Sequence, residues 1–156
     1  MPERARPSCY DKAVELLGRR PHFRRRLAAK LAQRGYEEEE VAAALARLAA
    51  QGYLDDARLA REVARGRATR AGEGARRIKA ELERRGASAA DAAAAVADVA
   101  ADDDTAAAAE AARRWRRRGG SDAAALARHL DRKGFSRRAI LTVLRRAGMD
   151  APDAEG

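Results

Sequence analysis

Little in this chain favours a sheet, a disulfide or a membrane span. Of its 156 residues, one is cysteine, four are proline and only 4% are aromatic. The lone Cys9 can form no internal disulfide, which suits a reducing cytosol and predicts a cytoplasmic location. No apolar run approaches the roughly 18 residues needed to span a bilayer. The start, MPERARPS, reads as a flexible polar arm over residues 1–8 and not as a signal peptide, so no membrane partner is expected. Almost no stretch is rich in β-branched residues. The 42 alanines, with abundant arginine and glutamate, favour helix and predict an all-α protein. Alanine buries little area, so the core should be thin and the helices close together.

Catalytic constellations are missing as well. The chain has no glycine-rich loop followed by Lys-Ser/Thr, no HExxH and no Cys-x-x-Cys. His22 and His129 stand 107 positions apart beside basic residues and read as ordinary surface or turn residues. Cys9 has no evident base nearby and reads as structural. Asp102-Asp103-Asp104 sits where a helix should start and reads as a capping run, not as a cation site. No enzyme activity, metal or cofactor is expected.

What the chain does have is positive charge, +9 overall. Between Arg58 and Arg85 there are 10 basic side chains against 4 acidic ones, and residues 105–156 carry +6. Such a balance favours an acidic partner, nucleic acid first. Two segments concentrate it. Arg65, Arg67 and Arg70 precede a loop with Gly72 and Gly74, and Arg76, Arg77 and Lys79 open the next helix. Guanidiniums at a helix start suit phosphates or carboxylates. The run Arg113-Arg114-Trp115-Arg116-Arg117-Arg118 cannot bury all its charges, and Trp115 reads as a core residue. Arg132, Lys133, Arg137 and Arg138 complete the candidate contact set.

The chain also repeats itself. Leu27, Leu31, Gly35, Val41, Leu45 and Leu48 recur 51 residues on as Ile78, Leu82, Gly86, Ala92, Val96 and Val99. They recur a further 48 on as Leu126, Leu130, Gly134, Ile140, Leu144 and Ala147. In each copy a helix with an i, i+4 apolar pair ends at a glycine, and a second helix with an i, i+4, i+7 series follows. Ser88 with Asp91, Ser136, and Glu37 followed by acids mark the second helix starts. A third helix precedes each pair, over about 9–19, 56–68 and 105–118, with Asp55 and Asp56 suited to its start in the second copy. The expected organisation is three tandem three-helix repeats, 9–52, 53–103 and 104–149, in an elongated or curved array with a disordered tail over 150–156.

Helix, glycine turn, helix also describes a helix-turn-helix regulator, whose second helix would enter a major groove. The candidate reading helices are 38–51, 89–101 and 137–147. The first is acidic at its start, the second is nearly all alanine, and only the third carries arginines, which argues against base-specific reading.

With these residues laid out, the chain resembles the RecX family of recombination regulators. The resemblance rests on Gly52-Tyr53-Leu54-Asp55-Asp56-Ala57-Arg58-Leu59-Ala60, then Arg77-Ile78-Lys79-Ala80-Glu81-Leu82 ending at Arg85-Gly86. It extends to Ala13-Val14-Glu15-Leu16-Leu17, Arg20 and Lys30-Leu31 ahead of Gly35-Tyr36. The family pattern usually has Phe where Leu59 stands, and often a Ser cap with Glu where this chain has Phe23 and Arg26. The resemblance implies a monomeric, non-catalytic regulator whose partners are the RecA filament and its single-stranded DNA. It would lodge in the filament groove and depress ATPase and strand exchange. Arg76 and Arg77, outside the aligned core positions, are the natural targets for charge reversal.

Overall fold

The computed structural model describes residues 5–100 and 104–149. The expected tail, Asp102, Asp103 and the first four residues of the expected arm lie outside them. Among the described residues there are nine helices and no strand: α1 (Cys9–Arg19), α2 (Arg24–Gln33), α3 (Glu38–Ala50), α4 (Asp56–Arg70), α5 (Ala75–Arg85), α6 (Ala89–Ala100), α7 (Asp104–Arg117), α8 (Ala123–Arg132) and α9 (Arg137–Arg146).

Local chemistry sets the ends of these helices. Asp55 caps α4, Asp122 caps α8 and Ser136 caps α9, each accepting a backbone N–H three residues on. Glu37 and Glu40 form a reciprocal capping box on α3. At their C-termini α2, α5 and α8 share one motif. Gly35, Gly86 and Gly134 adopt φ of 82°, 108° and 90°, conformations that glycine reaches without a Cβ penalty. The next residue, Tyr36, Ala87 or Phe135, donates its N–H back to Leu31, Leu82 or Leu130 and is itself buried.

The helices pack in triplets, α1–α3, α4–α6 and α7–α9, each around its own core. The repeat positions Leu27, Leu31, Ile78, Leu82, Leu126 and Leu130 are all fully buried. Further along the repeat Val41, Leu45, Leu48, Ala92, Ile140 and Leu144 are buried as the series predicts, and the remaining positions differ. Val96, Val99 and Ala147 are only half-buried, whereas Ala44, Ala95 and Val143, one residue before the predicted Leu45, Val96 and Leu144, are buried in all three copies. The second core is the thin one: Ala60, Ala64, Ala87, Ala92 and Ala95 surround Ile78 and Leu82, so α4 and α6 run close together. Its one buried aromatic, Phe23, comes from the first triplet.

Candidate functional site

Neighbouring triplets meet at two joints built from equivalent parts. At each joint the start of the middle helix of one triplet faces the glycine turn of the next. In the joint between triplets one and two, Phe23 and Arg26 approach Gly86. In the joint between triplets two and three, Gly74 and Arg77 approach Gly134. Phe23 and Gly74 are 51 residues apart, and Ala87 and Phe135 are 48 apart, so both pairs occupy equivalent repeat positions with large and small exchanged.

The first joint is assembled by the motif from Gly52 to Ala60. Gly52, at φ 78°, ends the turn after α3, and Leu54 then drops into the first core. Asp55 caps its own helix, while Asp56 accepts the backbone N–H of Arg24 at 2.9 Å. The start of α2 has no side-chain cap of its own, since Phe23 stands at the N-cap, and the next triplet supplies one. Burial raises the Asp56 carboxyl above its usual range, partly offset by the Arg24 bond, while Asp91 and Asp55 push the same way as burial. Ala60 is fully buried in the second core and Leu59 half-buried against it. Tyr53 is 66% exposed, and Arg58 makes only a loose 3.9 Å pair with Glu62. Tyr53, Leu59 and Val14 line an apolar cleft of about 550 Å³ beside this joint.

The second joint is tighter. Gly74 donates its N–H to Lys133 O at 2.8 Å and Arg76 to Gly134 O at 3.3 Å, so free donors of the α5 start meet free carbonyls after α8. Arg76 also reaches the Asp131 carboxylate at 2.9 Å and Arg77 the Arg132 carbonyl at 3.1 Å. Lys133 donates to Ala71 O at 2.8 Å. Within the α4–α5 loop, Glu73 is buried and takes a two-pronged bond from Arg67 at 2.7 and 2.9 Å, with Arg77 at 3.3 Å. Arg67 also stands 3.8 Å from Glu81.

The fourteen candidate contact residues therefore fall into groups. Arg67, Arg76, Arg77 and Lys133 are tied into the α4–α5 loop and the second joint. Arg113, Arg114 and Arg117 share Glu110, whose carboxyl is held below its usual range first by the Arg113 hydrogen bond. Arg116 donates to Met149 Sδ at 2.9 Å. Arg65, Arg70, Lys79, Arg132, Arg137 and Arg138 are exposed, and among the described residues their side chains make no ion pair or hydrogen bond. The structure brings Arg76, Arg77, Arg132 and Lys133 together, with Arg114 close to Gly72. It qualifies one inference from the repeat: Arg76 and Arg77 lie outside the aligned cores, but their guanidiniums bond Asp131, the Arg132 carbonyl and Glu73, so charge reversal there would break these bonds as well as change the surface.

The structure sharpens three other sequence readings. His22 lies in the α1–α2 turn but is buried, and burial pushes its pKa down, with Lys30, Arg20 and Arg26 adding to the effect. Trp115 is half-buried against the third core, and its ring fills the space where a Cβ on Gly120 would sit. The Cys9 thiol is buried and pushed up by desolvation. The exposed faces of α3 and α6 offer no base-reading set. On α6 they present Ala89, Ala90, Ala93, Ala94, Ala97 and Asp98. Among the described residues no helix is long and apolar enough to cross a membrane. Sequence reasoning missed Asp56 as a cap across the joint, Asp131 as a partner, and four arginines around a second cleft, Arg20, Arg26, Arg84 and Arg85. The substitution of a capping Glu by Arg26 was the one local signal of that cleft.

Comparison with known proteins matches this architecture. The first three-helix domain of RecX matches residues 9–48 and the second three-helix domain residues 55–96. A regulatory protein RecX of Chromohalobacter salexigens is 43% identical over 76 residues, 49% of each chain. One of Halorhodospira halophila is 47% identical over 76 residues, 49% of this chain and 47% of that one. These alignments span about half the length of the curated relatives. The crystal structure of RecX from Lactobacillus salivarius superposes with a TM-score of 0.81 at 19% identity, covering 90% of this chain and 94% of that one, a likeness of fold. The two domain matches together take in more than half of the residues, and the chain belongs to the RecX family.

Proposed function

We propose that this chain binds the RecA filament on single-stranded DNA, lodges in the filament groove and inhibits RecA ATPase, recombinase and strand-exchange activity. The reading is carried by one observation: both RecX domains match, and the motif from Leu54 to Ala60 builds the joint between them. Three triplets joined in series give length, so contacts can fall on successive filament subunits. The exposed Arg65, Arg70, Lys79, Arg132, Arg137 and Arg138, with Arg113, Arg114, Arg116 and Arg117, then meet RecA carboxylates or DNA phosphates, where two-pronged geometry favours arginine. The protein acts by occupancy, as a cytoplasmic monomer with no cofactor and no chemistry of its own. Against the rival helix-turn-helix regulator stand the alanine and acid faces of α3 and α6.

The test is DNA-dependent ATP hydrolysis by RecA from the same source, titrated with this protein. Hydrolysis should fall as the protein approaches stoichiometry with the filament. Unchanged hydrolysis, with no association with the filament, would sink the reading. Nanomolar selectivity for one duplex sequence would favour the regulator instead.

A further inference from the structure

The joint between the first and second triplets is flanked by two clefts that share Pro21, His22 and Leu59 as a common wall. They differ in charge. The larger one has Asp11, Asp55 and Glu62 at its edge with Arg58 as its arginine. The other, of about 440 Å³, is lined by Arg20, Arg26, Arg84 and Arg85 and by no acid, with Leu59 and Val63 among its apolar lining.

We infer that this second cleft is a binding site for the backbone of single-stranded nucleic acid, its arginines taking one or two phosphates and its apolar lining the face of a base. Arg20 and Arg26 are exposed, and among the described residues their side chains have no ion pair or hydrogen bond, so their donors are uncommitted. Arg84 and Arg85 are oriented by Glu81 at 2.7 Å, which uses only part of each guanidinium and leaves further N–H groups for an anion. Neighbouring groups register the positive field. Burial and the charges of Arg20 and Arg26 lower the pKa of both His22 and Lys30. Guanidiniums pair with phosphate oxygens in a two-pronged geometry, and clefts of about 300–1,000 Å³ are of a size to enclose a small ligand unit. A protein carboxylate is a weaker fit, because four arginines on one cleft exceed what a single acid needs, whereas a nucleic-acid strand brings regularly spaced charges and bases. The assignment rests on the proposed function only in taking single-stranded DNA as the source of phosphate.

The test uses the full chain and a labelled oligo-dT strand, followed by fluorescence anisotropy across a series of salt concentrations. Arg20→Glu with Arg26→Glu should weaken binding on the order of tenfold and flatten the slope of log affinity against log salt by about 1.4, as expected for two lost phosphate contacts. Arg145→Glu with Arg146→Glu, the same charge change at the far end of the molecule, should cost much less, and circular dichroism should show both variants folded. The inference fails if the wild-type chain does not bind the strand at low salt, if the cleft variant binds as tightly as wild type, or if the distal variant loses as much. It also fails if the cleft variant keeps its affinity for oligo-dT but loses inhibition of RecA, since the cleft would then receive a protein carboxylate. Inhibition of RecA by the wild-type chain is scored separately. The cleft can therefore fall with the proposed function intact, and the reverse holds too.

Discussion

The two joints of this molecule use the same docking surfaces and close them differently. In the first, Phe23 places a side chain where the second has Gly74. The consequence is readable in the spacing. A Cβ added at Gly86 would meet Arg26 Cβ at 3.4 Å, whereas one at Gly134 would overlap the side chain and backbone of Arg77. With Gly74 and Gly134 opposed, backbone reaches backbone and two hydrogen bonds form across the joint. With Phe23 in that place the turn stands further off, the Arg24 N–H turns to the Asp56 carboxylate, and clefts open on both sides. Phe23 in turn fills a second core that is otherwise mostly alanine. One exchange of large for small thus makes one joint closed and polar, the other open and anchored by a ring.

The comparison is broken most forcefully at Phe23. Phe23→Ala should destabilise the protein by about 3–5 kcal/mol in denaturant unfolding, since it empties a core belonging to a different triplet. A loss below about 1 kcal/mol would mean that the ring is dispensable to that core. Gly74→Ala comes next. Its φ of −84° suits any residue, so the whole cost is steric: the new Cβ would lie 2.5 Å from the Gly134 carbonyl carbon and oxygen. About 1–3 kcal/mol should be lost by the same measurement, and a neutral result would show that the second joint is not closed. Asp56→Ala removes the cap that α4 lends to α2 and should cost about 1 kcal/mol, with Asp56→Asn recovering most of it.

The smallest expected effect concerns Glu81 on α5, the helix that reaches from one joint to the other. Hydrogen bonding from Arg84, with Arg85 and the charge of Arg67 assisting, holds its carboxyl down at about 2 against an ordinary 4.5. A depressed carboxyl contributes stability above its unfolded value and loses it as pH falls from about 4.5 through about 2. Arg84 and Arg85 are 71% and 44% exposed, so solvent limits the contribution to below about 1 kcal/mol. Glu81→Gln should flatten that acid limb by lowering stability in the neutral region by less than about 1 kcal/mol, with the most acidic end unchanged.

Much of this architecture was legible because it is local. Glycine ends, serine and aspartate caps and the i, i+4 leucine pairs are fixed by neighbours within a few residues, and the helices expected over 9–19, 38–51, 56–68, 89–101, 105–118 and 137–147 lie within one or two positions of those bounds among the described residues. The burial of Ala44 and Ala95 was not legible, because alanine marks every face of α3 and α6 alike. Phe23 looked like a lost cap, since nothing nearby tells that its ring enters the core of the next triplet. Asp56 looked like a cap for its own helix, because its partner, Arg24, lies 32 positions earlier. The arginine cleft gathers residues 20, 26, 84 and 85, a set that only the closure of the first joint brings together.

Amide hydrogen exchange tests the difference between the joints most directly. The first N–H groups of a helix normally lack partners and exchange quickly. Gly74 and Arg76 should instead be strongly protected, because the second joint gives their N–H groups carbonyl acceptors at 2.8 and 3.3 Å. At the start of α2, Arg24 should be protected through Asp56, and Asp56→Ala should abolish that protection while leaving Gly74 and Arg76 unchanged. Free exchange of Gly74 and Arg76 in the wild-type chain, at the rate of an open helix start, would contradict the closed second joint and with it this account of the molecule.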